Sequence, residues 1–182
     1  MPSSSEWIQE LKSLHANEIV LILSDSTHYM ENNLSVMKEL LKAHELCIYV
    51  TINKPAESLM ALFKENGLDP QRFYFVDCVS ELVGSRKKSP NVISVSPQNL
   101  TGLSIAINEM ISGLKGKKFV FLDSLSTLAV FHSTGNVQKF YHFLTNKIRV
   151  SQLKGIFLSV EKDLSLEVLS LLEKVVDKII KI

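Results

Sequence analysis

Residues 117–128 read Lys117-Lys118-Phe119-Val120-Phe121-Leu122-Asp123-Ser124-Leu125-Ser126-Thr127-Leu128, an apolar run that ends in one carboxylate and continues into small hydroxyl side chains. A strand of this kind sets a carboxylate at the edge of a sheet, where it can hold a divalent cation directly or through water. The ion serves phosphate chemistry only where a glycine-rich loop and a lysine hold the phosphates beside it. The segment in position to supply that loop reads Ser24-Asp25-Ser26-Thr27-His28-Tyr29-Met30-Glu31-Asn32-Asn33. It has neither glycine nor lysine. One half of a nucleotide site is written into the chain and the other half is missing.

Outward from residue 123, short runs of Val, Ile, Phe and Leu alternate with longer segments whose apolar residues recur every three or four positions. This is the pattern of an α/β protein with a parallel sheet covered by helices on both faces. Strands are expected at 18–23, 46–51, 72–76, 117–122, 153–159 and 177–182, with a shorter one at 91–95. Leu34, Met37, Leu40, Leu41 and His44 fall on one helical stripe, and Asn32 or Asn33 is placed to cap its start. Pro55 opens a second helix to about Asn66, where Gly67 is placed to end it in a left-handed cap. A third helix is expected between Asn99 and Gly113, and a fourth carries Val137, Phe140, Tyr141, Leu144 and Ile148 on one face. The last, about 165–176, is apolar almost all round, because Leu166 and Leu171 fall away from the stripe of Val168, Leu169, Leu172, Val175 and Val176. That surplus calls for a cover: a neighbouring helix, with the N-terminal one around Trp7, Ile8, Leu11 and Leu14 as the candidate, or a subunit contact.

Composition narrows the class. A chain of 182 residues with 46% apolar content is large enough to bury a core without staples, and residues 1–182 are expected to form a single α/β domain, with 1–17 packing on it as a helix. Twenty basic and 19 acidic residues leave a formal charge of +1, which excludes a surface built wholesale for nucleic acid or anionic membrane. Cys47 and Cys78 lie at or beside strands, outside any Cys-x-x-Cys pair, and read as small buried hydrophobes. With no export pattern at the N-terminus and no apolar run near the ~20 residues of a membrane span, a soluble cytoplasmic protein is expected.

The order of elements and the local wording resemble the RecA-like ATPases and, among them, the KaiC-like branch. The resemblance covers about residues 18–182. Its most specific part is Phe119-Val120-Phe121-Leu122-Asp123-Ser124-Leu125-Ser126-Thr127-Leu128, similar to that family's Walker B strand, aspartate and Ser-Leu-Ser sequel. Leu68-Asp69-Pro70-Gln71-Arg72-Phe73-Tyr74-Phe75-Val76-Asp77 looks like the family's Gly-Leu-Asp helix exit and next strand. The resemblance implies a three-layer sandwich with a mostly parallel central sheet in the order 3-2-4-5-1-6, counting the strands without 91–95.

The departures carry as much information. An active member has Gly-x-x-x-x-Gly-Lys-Ser/Thr between first strand and first helix, so that backbone amides converge on phosphate and lysine neutralises it. Laid on without gaps, the glycine positions fall on Asp25 and Met30, the lysine on Glu31 and the magnesium-binding hydroxyl on Asn32, so the Walker A motif is degenerate. Bulky His28 and Tyr29 crowd the same loop. Like charges ~4 Å apart at an effective dielectric of ~20 repel by ~4 kcal/mol, comparable to several good phosphate contacts. Members that hydrolyse ATP also carry one or two glutamates after the second strand, where this chain has Asn53-Lys54-Pro55.

These readings converge on a pseudo-ATPase, a RecA/KaiC-like domain with no catalytic residues that acts as a structural, regulatory or protein-interaction module without a nucleotide cofactor. Its expected partners are further copies of the chain or another protein, through the last helix and the Trp7 helix. Asp123 is then a strand-end residue that caps or hydrogen-bonds the turn at 124–127. The alternative is a nucleotide or small-ligand site at the strand C-termini, with Ser24, Ser26, Thr27, Asn53 and Asp123 as its binding residues, ATP with magnesium as its cofactor and Asp123 as the metal ligand. Asp25, Asp77 and Asp123 all fall just past strand ends, where they form either a carboxylate cluster or separate turn caps. A phospho-receiver reading fits less well, since only Asp25, and no acidic pair, follows the first strand. The dense basic cluster Gly84-Ser85-Arg86-Lys87-Lys88-Ser89-Pro90 reads as a solvated loop, and its lack of aromatic residues gives no support for stacking on single-stranded nucleic acid. The backbone of residues 24–33 separates the readings: an open, amide-lined concavity favours a ligand, and a turn filled by Tyr29 or Met30 opposes one.

Overall fold

Continuous apolar runs flanked by amphipathic helices produce one seven-stranded sheet, all of it parallel, in the order β4-β3-β2-β5-β6-β1-β7. A computed structural model describes residues 6–43, 45–84 and 89–182. The strands are β1 (Ile19–Ser24), β2 (Leu46–Thr51), β3 (Phe73–Asp77), β4 (Val92–Ser94), β5 (Lys118–Asp123), β6 (Lys154–Val160) and β7 (Lys178–Lys181). Without β4 this is the order implied by the resemblance, and β4, the short strand expected at 91–95, adds one edge beside β3. The helices are α1 (Glu6–Lys12), α2 (Tyr29–Leu41), α3 (Ala56–Glu65), α4 (Leu100–Gly113), α5 (Leu125–Phe131), α6 (Thr134–Val150) and α7 (Leu166–Leu172).

Alternation along each strand divides the core in two. Val20, Ile22, Tyr49, Phe119 and Phe121 face a layer made by α1, α2 and α3. Leu21, Leu23, Val50, Val120 and Leu122 face α4, α5, α6 and α7. Strands buried on both faces must be apolar throughout, which is why β1 reads Ile-Val-Leu-Ile-Leu-Ser with every residue buried. Both cysteines lie in this core, and burial pushes the Cys78 thiol up to about 12. None of the helices among the described residues is long and apolar enough to cross a membrane.

Several helix ends follow local chemistry, and two helix starts differ from the sequence expectation. Asn99 and Ser165 cap α4 and α7 through their side chains, and Gly67, at φ +77°, ends α3 in the left-handed conformation that a residue without Cβ adopts freely. The first exception is α2, which starts at Tyr29, before either asparagine expected to cap it. Asp25 instead accepts the amides of Thr27 and His28 at 2.8 and 3.0 Å, and Asn33 turns inward one turn into the helix. His44, expected on the α2 stripe, lies outside the described residues. The second is α5, a two-turn helix where the sequence indicated only a turn; Ser124 caps it by accepting the Thr127 amide.

A neighbouring helix does cover α7, but it is not the N-terminal one. α7 packs on α6, while α1 packs on α2 and the edge strand β7, on the opposite side of the sheet. An apolar helix can be served by either layer, and its chain position next to β7 does not choose between them. Leu166 stays 86% exposed as a result.

Candidate functional site

The C-terminal ends of β1, β2, β3 and β5, with the turns that follow them, meet at one edge of the sheet. Thr51 at the end of β2 pairs with Asp77 on one side and Asp123 on the other. Asp123 is 1% exposed, and its two oxygens are shared among four donors from its own chain. Oδ1 accepts the Tyr29 hydroxyl and, at 3.2 Å, the Asn53 amide. Oδ2 accepts the Tyr49 hydroxyl at 2.6 Å and the Asn33 amide at 3.1 Å. A carboxylate offers about four lone-pair positions, and here each has a donor.

Each donor arrives for a local reason. Tyr29 opens α2, and the turn stapled by Asp25 carries its ring over the end of β5. Tyr49 is a polar side chain on a buried face of β2, within an aromatic cluster that sets its ring 5.0 Å from Phe121 and 5.6 Å from Phe63. Asn33 lies one turn before Met37 on the buried stripe of α2 and also donates to the Tyr49 hydroxyl at 2.7 Å. Its Oδ1 is buried with no hydrogen-bond partner among the described residues. Asn53 follows β2, and its Oδ1 accepts the Thr127 hydroxyl, which extends the network to the cap of α5. The Asp123–Ser124 peptide bond is cis.

The electrostatics follow from burial. Desolvation pushes the Asp123 carboxyl above its ordinary range, against the pull of the Tyr29, Tyr49 and Asn53 hydrogen bonds and the Lys54 charge. Burial and the adjacent Asp123 charge drive both the Tyr29 and Tyr49 hydroxyls far above the ordinary tyrosine range. Each of these phenols is thus held as a neutral donor, the form that Asp123 needs.

The other candidates divide. Ser24 is buried, donates to the Asp25 carbonyl and accepts the Asn32 amide at 2.9 Å. Ser26 and Thr27 are exposed on the turn and do not join the Asp123 network. Asp123 does not serve the 124–127 turn, as the sequence suggested; Ser124 takes that part because its hydroxyl already stands at the helix start. The carboxylates at 25, 77 and 123 do not form a cluster, and no group of three or more metal-ligating acids, histidines or cysteines occurs among the described residues. Asp25 binds its own turn, where the His28 and Thr27 contacts hold its carboxyl below the ordinary value. Asp77 accepts the amides of Val79 and Ser80 and, across the gap, the first amide of α3 at Ala56. Arg86, Lys87 and Lys88 lie outside the described residues. Tyr49 and Asn33 were not among the sequence candidates; the signal for them was one polar residue in an apolar strand and one asparagine on a buried helical stripe.

Solved structures share this architecture. A KaiC-like protein from Pyrococcus horikoshii aligns over 91% of this chain and 71% of its own, with 15% identity and a TM-score of 0.65. The flagellar accessory protein FlaH from Methanocaldococcus jannaschii aligns over 98% and 77%, with 13% identity and a TM-score of 0.63. An uncharacterized Pyrococcus horikoshii protein, solved in complex with an unknown peptide, aligns over 97% and 81%, with 16% identity and a TM-score of 0.72. The fold is therefore RecA-like, of the kind seen in KaiC-like proteins and FlaH. No curated protein matches the sequence. A family model does match, over residues 20–182, and the chain belongs to that family, the family of unknown function DUF7504.

Proposed function

We propose that this chain is a RecA-like domain that does not turn over ATP and works as a structural, regulatory or protein-interaction module. The observation that carries the reading is the closure of Asp123. A magnesium-bound triphosphate at this edge would need a free Asp123 lone pair, directly or through water, and backbone amides aimed outward from the preceding turn. Here the lone pairs are occupied by Tyr29, Tyr49, Asn33 and Asn53, and the Thr27 and His28 amides are spent on Asp25. The residues present do not fit the group.

The interaction half of the proposal draws on the surface and on a structural neighbour. Val130, Val150 and Leu166, all on the α4–α7 side, are more than four-fifths exposed, at 81%, 82% and 86%. The fold neighbour solved with a peptide supports the idea that this scaffold accepts polypeptide. Isothermal titration with ATP and magnesium tests the first half, and the expected trace shows no heat of binding at the strand C-termini. Saturable micromolar binding that disappears in Asp123→Asn would overturn it. Light scattering across a concentration series tests self-association, with a mass above that of one chain as the expected result.

A further inference from the structure

The opposite end of the sheet is built in the reverse sense. A cleft of about 620 Å³ opens where β2, β5, β6 and β1 begin. Its volume falls within the range of small-molecule sites. Lys117, Lys118 and Lys154 line it, and the carboxylate among its lining residues is Glu45.

Part of this basic character answers the carbonyl ends of the helices that finish at the same edge. Lys118 Nζ donates to the Leu114 carbonyl at 2.6 Å after α4, and Arg72, next to the cleft, donates to the Leu41 and Glu45 carbonyls after α2. Lys154 pairs with Glu45 at 3.0 Å. Lys117 is left over: it is exposed, and among the described residues its side chain has no hydrogen bond or ion pair. Three lysines and one glutamate therefore line a single concavity. Low-dielectric walls concentrate such a field toward solutes of opposite charge.

We propose that this cleft, at the N-terminal ends of β5 and β6, binds a compact polyanion, such as a molecule carrying two or more phosphate groups, with Lys117 as the principal free cation. The site shares no residue with the Asp123 network, so the two readings stand or fall separately.

Isothermal titration of the full chain with inorganic tripolyphosphate at low ionic strength is the test. Saturable binding is expected, weakened about tenfold by Lys117→Glu, strengthened by Glu45→Gln and lost as salt is raised to physiological strength. Lys117→Gln gives the same direction with a smaller change and guards against a folding defect from charge reversal. Absence of saturable binding by the wild-type chain, or equal affinity in wild type and Lys117→Glu, overturns the proposal. Tripolyphosphate that stays bound in Lys117→Glu but is lost in Asp123→Asn would place the ligand at the other edge and count against both readings.

Discussion

At one end of the sheet a carboxylate is sealed by four donors from the same chain; at the other, three lysines and a single glutamate line a cleft. The two ends share the same strands but not the same connections, since every strand that delivers a residue to one edge begins at the other. The difference shows that an α/β fold does not by itself decide which edge receives a ligand. The usual edge, outside the strand C-termini, can be filled from within when the turn that would cradle the ligand becomes a bulky one.

The largest effect that would break this contrast comes from Asp123→Ala. It leaves the buried Tyr49 hydroxyl without its acceptor and takes one of two from the Asn33 amide, and urea denaturation is expected to show a loss of about 3 kcal/mol or more. Tyr49→Phe removes one donor and keeps the ring packed against Phe121, so a smaller loss of about 1–3 kcal/mol is expected in the same measurement.

Proton linkage sharpens the comparison. Because the folded-state pKa of Asp123 lies above its ordinary value of 3.8, its contribution to stability is fully present below that value and is lost as pH rises through the folded-state pKa. The stability difference between wild type and Asp123→Asn should therefore shift against the wild type on raising the pH across that window, and a pH-independent difference would contradict a buried, titrating carboxyl. In alkaline titration followed by ultraviolet absorbance, Tyr29, Tyr49 and Tyr141, all held above the ordinary range by burial, should ionise only as the protein unfolds. The smallest effect belongs to the open end, where Lys117→Glu should alter unfolding free energy by no more than about 0.5 kcal/mol while it weakens anion binding about tenfold.

Much of the architecture was legible because it is written locally. Apolar runs such as 19–23, the Asn99 and Ser165 caps and the Gly67 stop each depend on neighbours a few positions away. Strand order came from the resemblance rather than from the residues, and the placement of α7 on α6 instead of α1 could not be read from a stripe that says only that a helix must be covered. The site was half legible. The missing glycines and lysine, and the bulk of Tyr29, pointed to a filled turn. The Asp123 network joins residues 74, 90 and 94 positions apart, and no local signal links Tyr49 and Asn33 to a carboxylate so distant in the chain.

Asn33 also has a mechanical meaning. Its amide is fastened at once to Tyr49 on β2 and to Asp123 on β5, from a position one turn inside α2. The helix is thus pinned to two adjacent central strands near its first turn, and it cannot slide or swivel along the sheet without tearing both fastenings. Any displacement of α2 would therefore have to break contacts made in the middle of the sheet.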